Sequence, residues 1–170
     1  NNVSEATEME AAAISARAKG VRSMVAFNYR RVPALAYAKK LISDGVLGQL
    51  YHVRANYLQD WIIDPEFPLV WRLDKNTAGS GALGNIGAHI IDASYFLTNN
   101  KILSVSGQLK TFIEERPLPG QYTGLVASGS SGRGKVTVDD TAFFTANFEN
   151  GAIGVFEATR FAAGRKNAMS

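Results

Sequence analysis

Residues 79–97 (GSGALGNIGAHIIDASYFL) constrain the fold more than any other stretch. They open on glycines and close as an amphipathic helix, so a tight backbone passage must feed directly into a packed helix. From residue 82 onward, Leu83, Ile86, Ile90, Ala93 and Leu97 form an apolar stripe. Asn85, His89, Asp92 and Phe96 fall on an adjoining face at helical spacing. Polar groups one turn apart beside an apolar stripe suit the wall of a cleft. His89 is one of only two histidines in the chain. Imidazole titrates nearest neutrality, so it can take and return a proton at physiological pH. Asn85 can hold a hydroxyl or a ring nitrogen by hydrogen bonding. Asp92 can orient His89, cap the helix or stay solvated. On the residues alone, His89 keeps a second reading as a satisfied, partly buried helical histidine.

Two apparent nucleotide motifs fail on their context. Gly79, Gly81 and Gly84 match the G-x-G-x-x-G spacing of dinucleotide-binding turns. That turn works only where a strand delivers it to a helix N-terminus. The preceding residues 71–78 (WRLDKNTA) are polar and not strand-like. About twenty residues on, where a ribose-binding acid belongs, stand Leu103 and Ser104. The glycines therefore read as places where the backbone passes close to a neighbour or ligand. Residues 129–135 (GSSGRGK) resemble a phosphate loop, but Val136 follows in place of Ser or Thr, and residues 136–138 (VTV) are strand-like.

Composition removes several function classes. A net charge of +3, evenly spread, argues against nucleic acid. No apolar run reaches membrane-spanning length. Cysteine is absent, which excludes disulfides, thiolate metal sites and a cysteine nucleophile. With no cysteine and only His52 as a second histidine, no metal site is expected. No Ser sits in a G-x-S-x-G elbow, so serine-hydrolase geometry is unsupported. These features fit a cytoplasmic protein.

In chain order, residues 4–19 read as a helix capped by Ser4 and stopped by Gly20. Residues 21–27 (VRSMVAF) read as a short buried strand, and a helix, a glycine and a buried strand together suggest the last unit of a parallel α/β sheet. Residues 28–31 (NYRR) follow as either a basic turn or a ligand contact at a strand's C-terminal end. Pro33 opens a helix to about Ser43, ended by Asp44 and Gly45. Residues 49–61 alternate as a long strand with Val53, Ala55 and Tyr57 on one face and His52, Arg54 and Asn56 on the other. Residues 102–114 read as a strand, and residues 116–135 as a Gly/Ser/Pro-rich loop. Residues 140–148 and 152–161 form two strands joined by Glu149, Asn150 and Gly151, a strong hairpin signal. Residues 162–170 carry no closing element, and the chain reads as part of a longer protein.

Three stretches then resemble the Gfo/Idh/MocA family of glucose–fructose oxidoreductases and inositol dehydrogenases. They are residues 27–31 (FNYRR) with Pro33, residues 48–55 (GQLYHVRA), and residues 79–92 (GSGALGNIGAHIID). Residues 58–61, 71–75 and 161–167 look most like members that oxidise sugars such as levoglucosan. The resemblance implies an α+β fold, an open, mostly antiparallel sheet with helices on one face, preceded by the last helix–strand unit of a Rossmann domain. Residues 1–31 would be the remnant of that dinucleotide-binding domain, and residues 32–170 the substrate and oligomerisation sheet domain, truncated at its C-terminus. It implies hydride transfer between a sugar or polyol carbon and NAD or NADP in the full-length parent, the cofactor not being bound by this chain alone. His89 would be the acid/base. Asn85 stands where the family has Asp, so it can orient a hydroxyl but cannot ionise. Asn28, Tyr29 and Arg30 would lie near the nicotinamide, Tyr29 and Arg30 near the substrate as well, and Gln59, Trp71 and Arg160 on the sugar side. A homo-oligomer through the free sheet face is implied. The other function class is a non-catalytic sheet module for dimerisation or partner binding.

Overall fold

The computed structural model describes residues 2–123 and 126–170. The chain runs α1 (Val3–Arg17), a 3-10 turn (Asn28–Arg31), α2 (Pro33–Ser43), β1 (His52–Leu58), a 3-10 turn (Trp71–Leu73), α3 (Lys75–Ala78), a π-helical turn (Leu83–Gly87) and α4 (Ala88–Thr98). There follow β2 (Ile102–Lys110), β3 (Glu115–Thr123), β4 (Val126–Lys135), β5 (Thr141–Phe148), β6 (Ile153–Thr159) and β7 (Lys166–Met169). Five strands form an open sheet in the order β2–β5–β6–β1–β7, and β3 and β4 form a separate ribbon. Among the described residues only β1 and β6 run parallel, and the other pairings are antiparallel. The class is α+β, as expected.

The alternating pattern of β1 sorts its faces as the sequence predicts: Val53 and Ala55 are buried, His52 and Arg54 exposed. Register places Ala55 opposite Phe156, and Phe156 opposite Phe144. The last two rings stack with centroids 4.6 Å apart. Ala142, Ala146, Phe148 and Ala158 complete this face, and Ala82, Ile86 and Ile90 of the π turn and α4 cover it. The small residues let the helix approach closely: a Cβ on Gly87 would already touch that of Ala158 at 3.4 Å. The β5–β6 hairpin closes as expected, with Gly151 at φ +85°.

Several expectations are corrected. Asn2, not Ser4, caps α1, accepting from the backbone N–H of Glu5 at 2.9 Å. Residues 21–27 form no strand; among the described residues none pairs with them, and Val21, Met24 and Val25 are more than half exposed. A buried strand needs neighbours to take its backbone donors and acceptors, and the described chain supplies none there.

Residues 116–135, expected as a loop, belong to the β3–β4 ribbon, whose two arms satisfy each other's backbone; Gly124 and Leu125 lie outside the described residues. The ribbon is rooted by the buried Arg116, which donates to the carbonyls of Ile62 (2.6 Å), Asp64 (2.8 Å) and Phe67 (3.1 Å). That anchoring bounds a second small core of Ile62, Val70, Leu73, Val136 and Val138. The C-terminal residues, expected to carry no element, include β7, which pairs antiparallel with the free edge of β1.

Candidate active site

The site begins with how the glycine stretch is held. Asp139, which precedes β5, is buried. Its Oδ1 accepts from the backbone N–H of Gly81 at 2.8 Å and its Oδ2 from that of Leu83 at 2.8 Å. Its carbonyl accepts from the N–H of Ala82 at 2.9 Å. One residue thus satisfies three donors at a helix start, and the carboxylate sits where the helix end favours negative charge. Gly81 is needed for this approach, since a Cβ there would fall 1.9 Å from the Asp139 carbonyl oxygen. The segment before it, residues 71–78, is two short helical turns rather than a strand. The glycines therefore serve close packing, and the dinucleotide geometry is missing.

The π-helical turn Leu83–Gly87 changes which residues share a face. A wider turn breaks the four-residue stacking of a regular helix. Asn85 and His89, expected on one face, open on two neighbouring clefts. Asn85 is exposed in a cleft of about 310 Å³ with Trp71, Arg72, Ser80 and Arg160. His89 lines a smaller, apolar one of about 100 Å³ with Tyr29, Tyr57 and Asn167.

His89 is half-buried in a ring of aromatics. Its centroid lies 5.4 Å from Tyr29, 5.9 Å from Tyr57 and 6.3 Å from Phe27. Its Nδ1 is buried without a hydrogen-bond partner among the described residues. Tyr29 is held by Asn167, whose Nδ2 donates to the phenol oxygen at 3.2 Å. Burial, followed by the Tyr57 phenol, raises the Tyr29 hydroxyl above its ordinary range, so it stays protonated near neutrality. Asp92 does not orient His89: Arg30 occupies both its oxygens, with Nε donating to Oδ2 at 2.9 Å and Nη2 to Oδ1. Asn28 is exposed at the head of the same 3-10 turn.

On the other side, Trp71 is 42% exposed and carries the Arg72 guanidinium 4.4 Å from its ring centroid. Arg160 lies fully buried beneath the cleft. Burial lowers its pKa to about 10, against the opposing pull of Asp139 and Asp140, so it remains a cation at neutral pH. Gln59 lines neither cleft; its backbone N–H donates to the Thr159 carbonyl at 2.9 Å. Sequence reasoning missed Tyr57, Asn167 and Asp139. Tyr57 was already on the inward face of the β1 alternation, and that was its signal. Asn167 and Asp139 carried none, because each acts across the fold from a distant segment. Among the described residues, no three His, Cys, Asp or Glu side chains gather as a metal site.

Residues 35–170 match the GFO/IDH/MocA C-terminal domain. The chain belongs to the Gfo/Idh/MocA family. It is 47% identical over 152 residues to levoglucosan dehydrogenase from Pseudarthrobacter phenanthrenivorans, which covers 88% of this chain and 39% of that protein. Among solved structures, an oxidoreductase domain protein from Kribbella flavida superposes with a TM-score of 0.87 at 62% identity, over 99% of this chain and 43% of that one. Levoglucosan dehydrogenase in complex with NADH superposes with a TM-score of 0.75 at 46% identity, over 86% of this chain and 36% of that one. The chain thus spans about two-fifths of the length of these relatives.

The helix start gives a direct test. Asp139→Ala removes two side-chain acceptors from buried or half-buried donors, and is expected to lower unfolding stability by about 2 kcal/mol, measured by denaturant melts. An unchanged midpoint would contradict the capping role.

Proposed function

We propose that this chain is the central and C-terminal part of an NAD(P)-dependent oxidoreductase that moves hydride between a sugar or polyol hydroxyl carbon and nicotinamide. In this reading residues 1–31 close a dinucleotide-binding domain, residues 32–170 form the substrate domain, and the enzyme works in the cytoplasm. The observation that carries it is the half-buried imidazole of His89 among Tyr29, Tyr57 and Phe27, one helical turn along from Asn85, which opens on the cleft of Trp71 and Arg160. Relatives support it: levoglucosan dehydrogenase has been solved with NADH and levoglucosan, and with NADH and L-sorbose.

The residues fit one end of the cofactor. Asn28 and Tyr29, on an open turn beside His89, suit contact with a nicotinamide edge, and the glycine passage at residues 79–84 is already filled by Asp139. The chain alone is therefore not expected to hold NAD or NADP. Bound nicotinamide would supply the hydride acceptor. His89 takes the proton of the reacting hydroxyl as the carbinol carbon loses hydride and becomes a carbonyl. Asn85, in the neighbouring cleft, holds an adjacent hydroxyl of the sugar; as an amide it cannot take the proton, which His89 can. The Trp71 face stacks under the sugar ring, and the buried Arg160 shapes the sugar side.

In the enzyme that contains this chain, His89→Ala should lower turnover by roughly a hundredfold or more in sugar-dependent reduction of NAD or NADP. Unchanged turnover would remove His89 from the mechanism.

The sheet face away from the helices exposes Phe143 (46%), Ile153 (51%) and Val155 (43%). This apolar row supports self-association through the sheet, and it is the feature that favours the second reading, a module for dimerisation. Sedimentation of the chain is expected to give a dimer or larger, and Val155→Lys to give a monomer. A monomeric parent chain would contradict pairing through this face.

A further inference from the structure

The turn that carries Tyr29 is continued directly by α2 on its C-terminal side, and the Val32 N–H donates to the Tyr29 carbonyl at 3.0 Å. Residues 21–27 before it form no regular element, and among the described residues no strand pairs with them. Across the fold the turn is tied at two places: Asn167 of β7 donates to the Tyr29 hydroxyl at 3.2 Å, and Arg30 reaches α4. Arg30 Nε donates to Asp92 Oδ2 at 2.9 Å, and Nη2 donates to Oδ1. The Asp92 side chain is only 8% exposed, against 44% for Arg30. The guanidinium carbon also sits 5.6 Å from the Phe27 ring centroid and 5.7 Å from that of Phe96. Phe27 precedes the turn and Phe96 lies one helical turn beyond Asp92, so Arg30 is gripped by a carboxylate and two aromatic faces.

Two contacts therefore run in parallel between the same two elements. Arg30 meets Asp92, and its neighbour Tyr29 meets His89, edge to face at 5.4 Å. Asp92 and His89 are one turn apart on α4. A planar fork on a carboxylate fixes orientation as well as distance. A carboxylate this buried also strongly opposes release of its partner.

We propose that Arg30 and Asp92 are a positioning pair: their two-point contact locks the Asn28–Arg31 turn onto α4 and so sets the Tyr29 ring against His89. Neither side chain touches the reacting atoms. Arg30 is a strut rather than a ligand of cofactor or sugar, and Asp92 acts on His89 only through Tyr29. The role rests on the reading of His89 as the acid/base, but its test reads ring geometry and needs no turnover.

The test is proton NMR on the 170-residue chain, following nuclear Overhauser contacts from the His89 ring to Tyr29 and to Tyr57. Tyr57 stands on β1 and does not depend on the turn, so it serves as an internal reference. Arg30→Gln and Asp92→Asn are each expected to abolish the Tyr29 contact and keep the Tyr57 contact. Arg30→Lys, which keeps the charge but loses the fork, should weaken the Tyr29 contact without removing it. A pair that only stabilised the fold would lower the unfolding midpoint and leave the Tyr29 contact intact in the folded chain. That outcome overturns the proposal, as does joint loss of both contacts in a chain that remains folded. Should Asp92→Asn unfold the chain, Arg30→Gln, at the more exposed end, decides alone.

Discussion

The carboxylate of Asp139 is the contact on which the site depends. It reaches from the edge of β5 to the start of the helix and ties Gly81 and Leu83 to the sheet. Helix and sheet are thereby put in register before any side chain of the site is placed. Everything downstream follows from that fixed start: the π turn, the outward Asn85, and His89 turned toward Tyr29 and Tyr57. The arrangement carries an electrostatic burden. Asp139, Asp140, Arg116 and Arg160 are all buried, and charges removed from water must be compensated locally. Burial pushes the Asp140 carboxyl up, while the N–H groups of Phe112 and Ile113 and the charges of Arg116 and Arg160 pull it down. Arg160, which lines the Asn85 cleft, thus carries its charge in the field of the buried Asp139 and Asp140.

Where periodicity or turn chemistry decided the structure, the sequence was sufficient. Pro33 and Gly45 bracket α2, Val53 and Ala55 mark the inner face of β1, and Asn150–Gly151 makes the hairpin. Where long-range pairing decided it, local reasoning failed. β7 forms because β1 has a free edge, which residues 162–170 do not reveal by themselves. The β3–β4 ribbon forms from a Gly/Ser-rich segment whose two arms pair with each other and are rooted by one buried arginine. Residues 21–27 carry strand-like valines, yet without neighbours they have no ladder to join.

The site shows the same division. The residue types at 85 and 89 were legible, and so was the reason for reading the glycines as close packing. Their relative orientation was not, because a π turn inserts itself between them and no helical wheel contains one. Arg30 and Asp92 were each legible as polar groups near a cleft. That they pair with each other is visible only in three dimensions.

What remains is a two-sided arrangement: aromatics and an imidazole on one side, and Trp71, Asn85 and a buried cation on the other. In the proposed function the second side receives a sugar ring whose hydroxyl faces His89. Titration of the isotopically labelled chain with a pyranose sugar, followed by amide and indole chemical shifts, tests it most directly. Changes are expected to cluster at Trp71, at residues 80–85 and at His89. Changes confined to the outer sheet face, with Trp71 and His89 silent, would contradict it.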